Sequence, residues 1–127
     1  MIQPVVICPL EHERRLIRRA VGPRAKIIVS GPGAEAMRVA VRALKDDPPP
    51  LVVLCGVAGG LLETADAPRI VKILHRNARS WSAPVVVPGD EPSVTVLALD
   101  EPVETVERKS ALSRAYAAAL VDCESHA

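Results

Sequence analysis

A chain of 127 residues has room for one compact core, and its 49% apolar and 24% charged composition is that of a folded globular protein rather than a disordered one. Sixteen basic residues against fifteen acidic ones leave a formal charge of +1, which excludes nucleic-acid binding held by bulk charge. No run of eighteen uncharged apolar residues predicts a membrane span, and the N-terminal MIQPVVICPLEHE meets charge too early for a signal peptide. The first element is a short β-branched run over 4–8, PVVIC, of the kind that suits a strand buried on both faces, and Pro9 stops it. The period then changes. Residues 11–20 predict a charged helix whose stripe is Leu10, Leu16, Ile17, Ala20 and Val21, with Glu11 and Glu13 in the first turn where the helix dipole favours them.

A second cycle follows, with a strand over 25–30, AKIIVS, the turn Ser30-Gly31-Pro32-Gly33, and a helix over 34–45. Met37, Val41 and Leu44 predict the inward side of that helix, with Ala40 between them, and Pro48-Pro49-Pro50 prevents its continuation. The third cycle opens with a buried-strand run, LVVLC over 51–55, which meets Gly56-Val57-Ala58-Gly59-Gly60. Strands are expected over 69–74, 83–87 and 93–99, with a Pro- and Gly-marked loop around 84–92. Residues 104–117 predict helix in one or two pieces, and 118–123 a last strand. Uniformly apolar strands alternating with amphipathic helices predict an α/β fold of three layers within a single domain over 1–127. Its sheet would be mainly parallel or mixed, with helices on both faces.

In such folds ligands bind beyond the carboxyl ends of the strands. Four segments stand there. Glu11, His12 and Glu13 form a titratable cluster that reads either as acid/base chemistry or as an exposed, dipole-favoured first turn. Ser30–Gly33 reads either as a backbone cradle for an anion at a helix N-terminus or as a tight turn. It holds the first two glycines of GxGxxG, but the sixth position is Ala36, so a dinucleotide reading rests on the turn alone. Gly56–Gly60 leaves space for a flat ligand over backbone, or is a sharp bend. Asp122-Cys123-Glu124-Ser125-His126 offers a carboxylate able to accept two sugar hydroxyls, while activation of Cys123 by His126 needs a helix rather than a strand there. Cys8, Cys55 and Cys123 are widely spaced, with no disulfide framework and no metal spacing, which makes a reduced cytoplasmic chain the default. Cys8 and Cys55, lying in apolar strands, are expected to be buried.

Taken in order, these segments resemble the nucleoside phosphorylase and nucleosidase superfamily, which contains purine nucleoside phosphorylases, methylthioadenosine/adenosylhomocysteine nucleosidases and futalosine hydrolase. LVVLCGVAGGLL over 51–62 is similar to its strand and AGGL loop. AALVDCESH over 118–126 is similar to its VDMES motif, with Cys123 in the Met place. IIVSGPGAEAM over 27–37 is similar to its SGxG turn, and VVICPLEHE over 5–13 to its first strand and acidic turn. LALDEPVETVERKSAL is similar to the hopanoid-associated phosphorylase branch.

The resemblance implies cleavage of the N-glycosidic bond of a purine-type nucleoside through an oxocarbenium-like sugar, with phosphate or water as nucleophile and no cofactor or metal. It implies Glu13 as the acid/base, Ala58 and Gly59 under base and sugar, and Cys123 against the ribose. Glu124 would hold the ribose hydroxyls, and Gly31 and Gly33 would lie on the anion or nucleophile side. Such a cation gains from a nearby anion, and the leaving base needs a proton. The family continues past this motif to a helix, a strand and a Ser-Asp pair whose Asp protonates the purine. The sequence ends at Ala127 without them and has no Phe to stack on a base, so it reads as a shortened relative. An inactive nucleoside-binding or assembly module of the same fold is the alternative. Either version implies a homo-oligomer or a partner subunit, since a missing last strand leaves a sheet edge open.

Overall fold

The computed structural model describes residues 3–61, 69–75, 79–82, 93–125 and 127. The strand expected over 83–87, the loop around 84–92 and His126 lie outside the described residues. The chain divides into two compact units, one up to Val57 together with Ala127, the other from Ala58 to His126.

The first unit alternates strand and helix: β1 (Val5–Cys8), α1 (Glu11–Val21), a short 3₁₀ turn over Gly22–Arg24, β2 (Lys26–Val29), α2 (Ala34–Arg42) and β3 (Val52–Leu54). Its sheet has the order β2-β1-β3 and is parallel throughout, with Ile7 level with Ile28 on one side and with Leu54 on the other. β1 takes the centre, which is why VVIC is buried along its whole length. Val5 and Ile7 pack with Met37 of α2, and Ile28, Ala40 and Leu44 close around them. α2 is shorter than expected. It ends at Arg42, and its last turn tightens through Leu44 N–H to Val41 O at 3.1 Å and Lys45 N–H to Arg42 O at 3.1 Å, the usual way a helix end uses its spare carbonyls.

Four expectations of burial fail in this unit, each because of the place its element takes beside its neighbours. The run over 51–55 is not buried. β3 is an edge strand of the three, and Val52, Val53 and Leu54 are all exposed. Cys55 is exposed with them. The expected stripe of α1 does not face a core either, since Leu10 and Leu16 are exposed and the one buried residue of the helix is Glu13. On α2, Met37 is inward while Val41 is exposed.

The second unit contains β4 (Gly59–Gly60), β5 (Arg69–His75), β6 (Ser80–Ser82), β7 (Ser93–Ala98), α3 (Val106–Tyr116) and β8 (Leu120–Asp122). Its sheet, β4-β8-β7-β5-β6, is mixed: β5, β7 and β8 run parallel, and the two outer strands run antiparallel to their neighbours. Both outer strands were unexpected. Gly-Gly carries no strand propensity and Ser-Trp-Ser is too short to show a period, so pairing with β8 and β5 alone makes them strands. Leu97, Leu99, Leu112, Ala118 and Val121 form the core, and Tyr116 packs against it. α3 is one continuous helix. Thr105 caps its start, its Oγ1 accepting the Arg108 N–H at 3.1 Å, and Ala117 ends it in the left-handed region. No helix among the described residues is long and apolar enough to cross a membrane. The α/β class, with one parallel and one mixed sheet, is the class the sequence predicts.

Candidate functional site

Because β1, β2 and β3 are parallel, the segments that follow them leave the sheet at the same edge. Ser30 N–H donates to Cys8 O at 3.0 Å and Cys55 N–H to Ile7 O at 3.0 Å, so the turn after β2 and the loop after β3 are tied to the end of β1. There the chain also buries an acid. Glu13 lies at the third position of α1 and is 4% exposed. Its Oε2 accepts the Leu10 N–H at 2.8 Å, the return half of a capping box. The forward half is missing, because Leu10 at the cap has no acceptor in its side chain. Oε1 accepts the Val57 N–H at 3.0 Å, across 44 residues of sequence. Both oxygens are therefore held by backbone N–H groups, which meets the hydrogen-bonding need of a buried carboxyl group.

The other two members of the cluster stay outside. Glu11 and His12 are exposed. Glu11 bonds Arg14 through Nε at 2.8 and 2.9 Å and through Nη2. That guanidinium, first by its hydrogen bond and then by its charge, holds the Glu11 carboxyl below the usual range. Glu11 and His12 thus stand in an exposed first turn, whereas Glu13, in the same turn, is buried.

Gly31 and Gly33 both have positive φ, +89° and +92°, a region other residues rarely adopt, and Gly33 stands at the start of α2. A Cβ on Gly31 would meet only the Ala36 Cβ, at 3.6 Å, and one on Gly33 nothing within 4 Å. Dihedral, not crowding, selects glycine here. Gly56 is the opposite case. A Cβ there would stand 3.0 Å from Glu13 Oε1, 3.3 Å from its Cδ and 3.3 Å from Pro9 Cδ. The sequence marks Gly56 only as part of a glycine-rich bend. Its closeness to the carboxylate is the signal's physical content, and only the fold reveals it.

In the second unit, Ala58 is half-buried and Gly59 is paired with Val121, where a Cβ would lie 3.1 Å from Val121 Cγ1. The loop and the last motif are thus neighbours, as two segments acting on one ligand would need. β7 and β8 end side by side, with Ala98 level with Asp122 and Leu99 N–H donating to Asp122 O at 2.9 Å. Beyond that point Cys123 and Glu124 leave the strand. Both are half-buried, and Glu124 Oε2 accepts the Cys123 N–H at 3.2 Å. Asp122 holds the turn by accepting from Ser125 N–H and Oγ–H. Desolvation first, then the charges of Glu124, Asp122 and Asp100, push the Cys123 thiol up, which makes it a poor nucleophile. The same parallel edge carries a group the sequence reading missed. His75 ends β5, is buried, and places Nε2 at 3.8 Å from Asp100 Oδ2. Nothing in the spacing of residues 75 and 100 announces it.

No protein-family model and no curated protein sequence matches the chain. Solved structures do. A futalosine hydrolase from Helicobacter pylori superposes with a TM-score of 0.75 at 16% identity, covering 98% of this chain and 76% of that one. A 5′-methylthioadenosine/S-adenosylhomocysteine nucleosidase from Neisseria meningitidis, in complex with methylthio-immucillin-A, gives 0.74 at 17% identity, covering 99% and 77%. The corresponding enzyme of Helicobacter pylori with butyl-thio-DADMe-Immucillin-A gives 0.71 at 16% identity, covering 98% and 76%. At such identities the likeness is one of fold, and the chain has the α/β fold of these solved nucleosidases.

Proposed function

We propose that this chain cleaves the N-glycosidic bond of a purine-type nucleoside. The observation that carries the reading is Glu13, a buried carboxylate fixed at the carboxyl edge of a parallel sheet by two backbone N–H groups. Its support is the fold shared with nucleosidases. In this reaction the bond from the sugar C1′ to the base nitrogen breaks, and a bond from C1′ to an oxygen of water or phosphate forms. Positive charge develops on the sugar between the two events and a proton must reach the base. Glu13 is assigned the proton movement, as general acid or base. Glu124 is assigned the ribose hydroxyls, which a carboxylate accepts in pairs, with Cys123 against the sugar. Ala58 and Gly59 line the base and sugar, and Gly31 and Gly33 the side from which the nucleophile comes. No cofactor is needed, and phosphate is the co-substrate if the enzyme is a phosphorylase. The same reading makes the chain a cytoplasmic protein working as a homo-oligomer or with a partner subunit.

The test is a panel of purine nucleosides that includes adenosine, 5′-methylthioadenosine and futalosine, each with and without phosphate, read by chromatography of the free base. Base release is expected from at least one. Glu13→Gln should lower kcat by about 10²- to 10⁴-fold. Glu124→Gln should raise KM by about tenfold, the equivalent of one hydrogen bond to a charged acceptor. A panel that yields no free base under either condition sinks the proposal, and an unchanged KM in an active Glu124→Gln enzyme removes the role given to Glu124.

A further inference from the structure

The end of the first sheet holds two cysteines that the proposed reaction does not use. β1 and β3 run parallel with Val5 level with Val52, Val6 with Val53 and Ile7 with Leu54. The ladder goes one step further, since Cys55 N–H donates to Ile7 O at 3.0 Å. The next register position therefore pairs Cys8 with Cys55. Adjacent strands lie about 4.8 Å apart, and residues at one register position project from the same face of the sheet. That spacing falls inside the Cα separation of about 4.4–6.8 Å across which a disulfide closes. The sequence, with 46 residues between the two, gives no hint of it.

The two thiols differ in access. Cys8 is fully buried, with Sγ 3.8 Å from the carbonyl oxygens of Leu10 and of Ile28. Cys55 is exposed. One thiol can meet a dissolved reagent and the other can meet only its neighbour, which is the division of labour of an attacking and a resolving cysteine. Their surroundings also couple them to Glu13. Gly56, directly after Cys55, and Pro9, directly after Cys8, are the residues that crowd the Glu13 carboxylate.

We propose that Cys8 and Cys55 are a dithiol that a low-molecular-weight disulfide closes into a bridge, tying β1 to β3 beside Glu13. The Cys55 thiolate attacks one sulfur of the oxidant R–S–S–R. The S–S bond breaks, and one R–SH leaves with a proton. Cys8, rotating about χ1 and giving up its proton, then attacks the Cys55 sulfur and displaces the second R–SH. In sum the protein loses two hydrogens with their two electrons, and one R–S–S–R becomes two R–SH. The bridge joins the two segments whose N–H groups, at Leu10 and Val57, hold Glu13. Desolvation and the charge of Glu13 push both thiols up, which makes the exchange slow rather than forbidden.

The test uses the full chain in its native state and does not depend on any enzymatic activity. The protein is incubated with glutathione disulfide at mildly alkaline pH, quenched by alkylation, and read by intact mass and peptide mapping. The expected result is loss of two hydrogens and a linked Cys8–Cys55 peptide pair, reversed by dithiothreitol and retained in Cys123→Ser. Cys8→Ser should halt at a single glutathionyl adduct on Cys55. If that variant does not fold, the wild-type peptide map decides by itself. A wild-type protein that stops at the same adduct overturns the proposal. So does linkage of Cys55 to Cys123 or to Cys55 of a second copy.

Discussion

Two glutamates two positions apart meet opposite fates. Glu11 is exposed and bonded to Arg14, so its removal touches only a solvated pair of small worth. Glu13 is buried and bonded twice to backbone. Gly56 is the residue that makes this possible, since its missing Cβ leaves the carboxylate its place. Gly56→Ala puts a methyl group against a side chain that two hydrogen bonds prevent from yielding. The expected loss is about 1–3 kcal/mol, the cost of overpacking a fixed neighbour. Urea unfolding should show a lower midpoint at unchanged slope. A midpoint equal to wild type would mean that Glu13 moves freely, which contradicts its role as a fixed acid. The carboxylate itself is legible in the sequence only as one of three titratable neighbours.

At the scale of elements, ends and edges matter more than interiors. α1 opens with a Leu whose side chain cannot cap, and Glu13, from inside the helix, secures only the N–H of Leu10 itself. α2 opens on Gly33, with no side-chain cap. α3 has an ordinary cap in Thr105, whose Oγ1 takes the Arg108 N–H. Thr105→Ala should therefore cost about 1 kcal/mol, measured as a shift of the denaturation midpoint. Thr105→Ser should recover most of it, because the acceptor returns. Helix and strand positions were largely readable because period and turn residues are local properties. The exposure of β3 was not. The five-residue run LVVLC that contains it reads like the run of β1, yet one strand sits at the centre of the sheet and the other at its edge. A run of Val and Leu reports that a strand is compatible with burial on both faces, and only the sheet order decides whether neighbours are there.

Over the whole molecule, all three thiols are pushed up, in each case first by desolvation. For Cys8 the charges of Glu13 and Glu11 add to this, and Arg14 opposes it. A folded thiol of this kind holds its proton to a higher pH than the unfolded one. Its contribution to stability is complete below the ordinary thiol range and is lost as pH rises through the folded value. Urea midpoints should thus fall from neutral pH to about pH 10, and a variant with all three cysteines changed to serine should show a shallower fall over the same window. An identical fall in that variant would assign the alkaline limb to other groups.

The sequence by itself determined the class of the fold: three strand runs, the helices between them, and the turn at Ser30–Gly33 whose glycines take positive φ. These follow from side-chain period and backbone sterics, which act within a few residues. The tertiary structure alone decided which acid is buried, which cysteine is exposed, and that Val57 serves Glu13. Burial and hydrogen bonding at such places depend on partners from distant parts of the chain. Local pattern cannot supply them until the parallel sheet has brought the ends of β1, β2 and β3 to one edge.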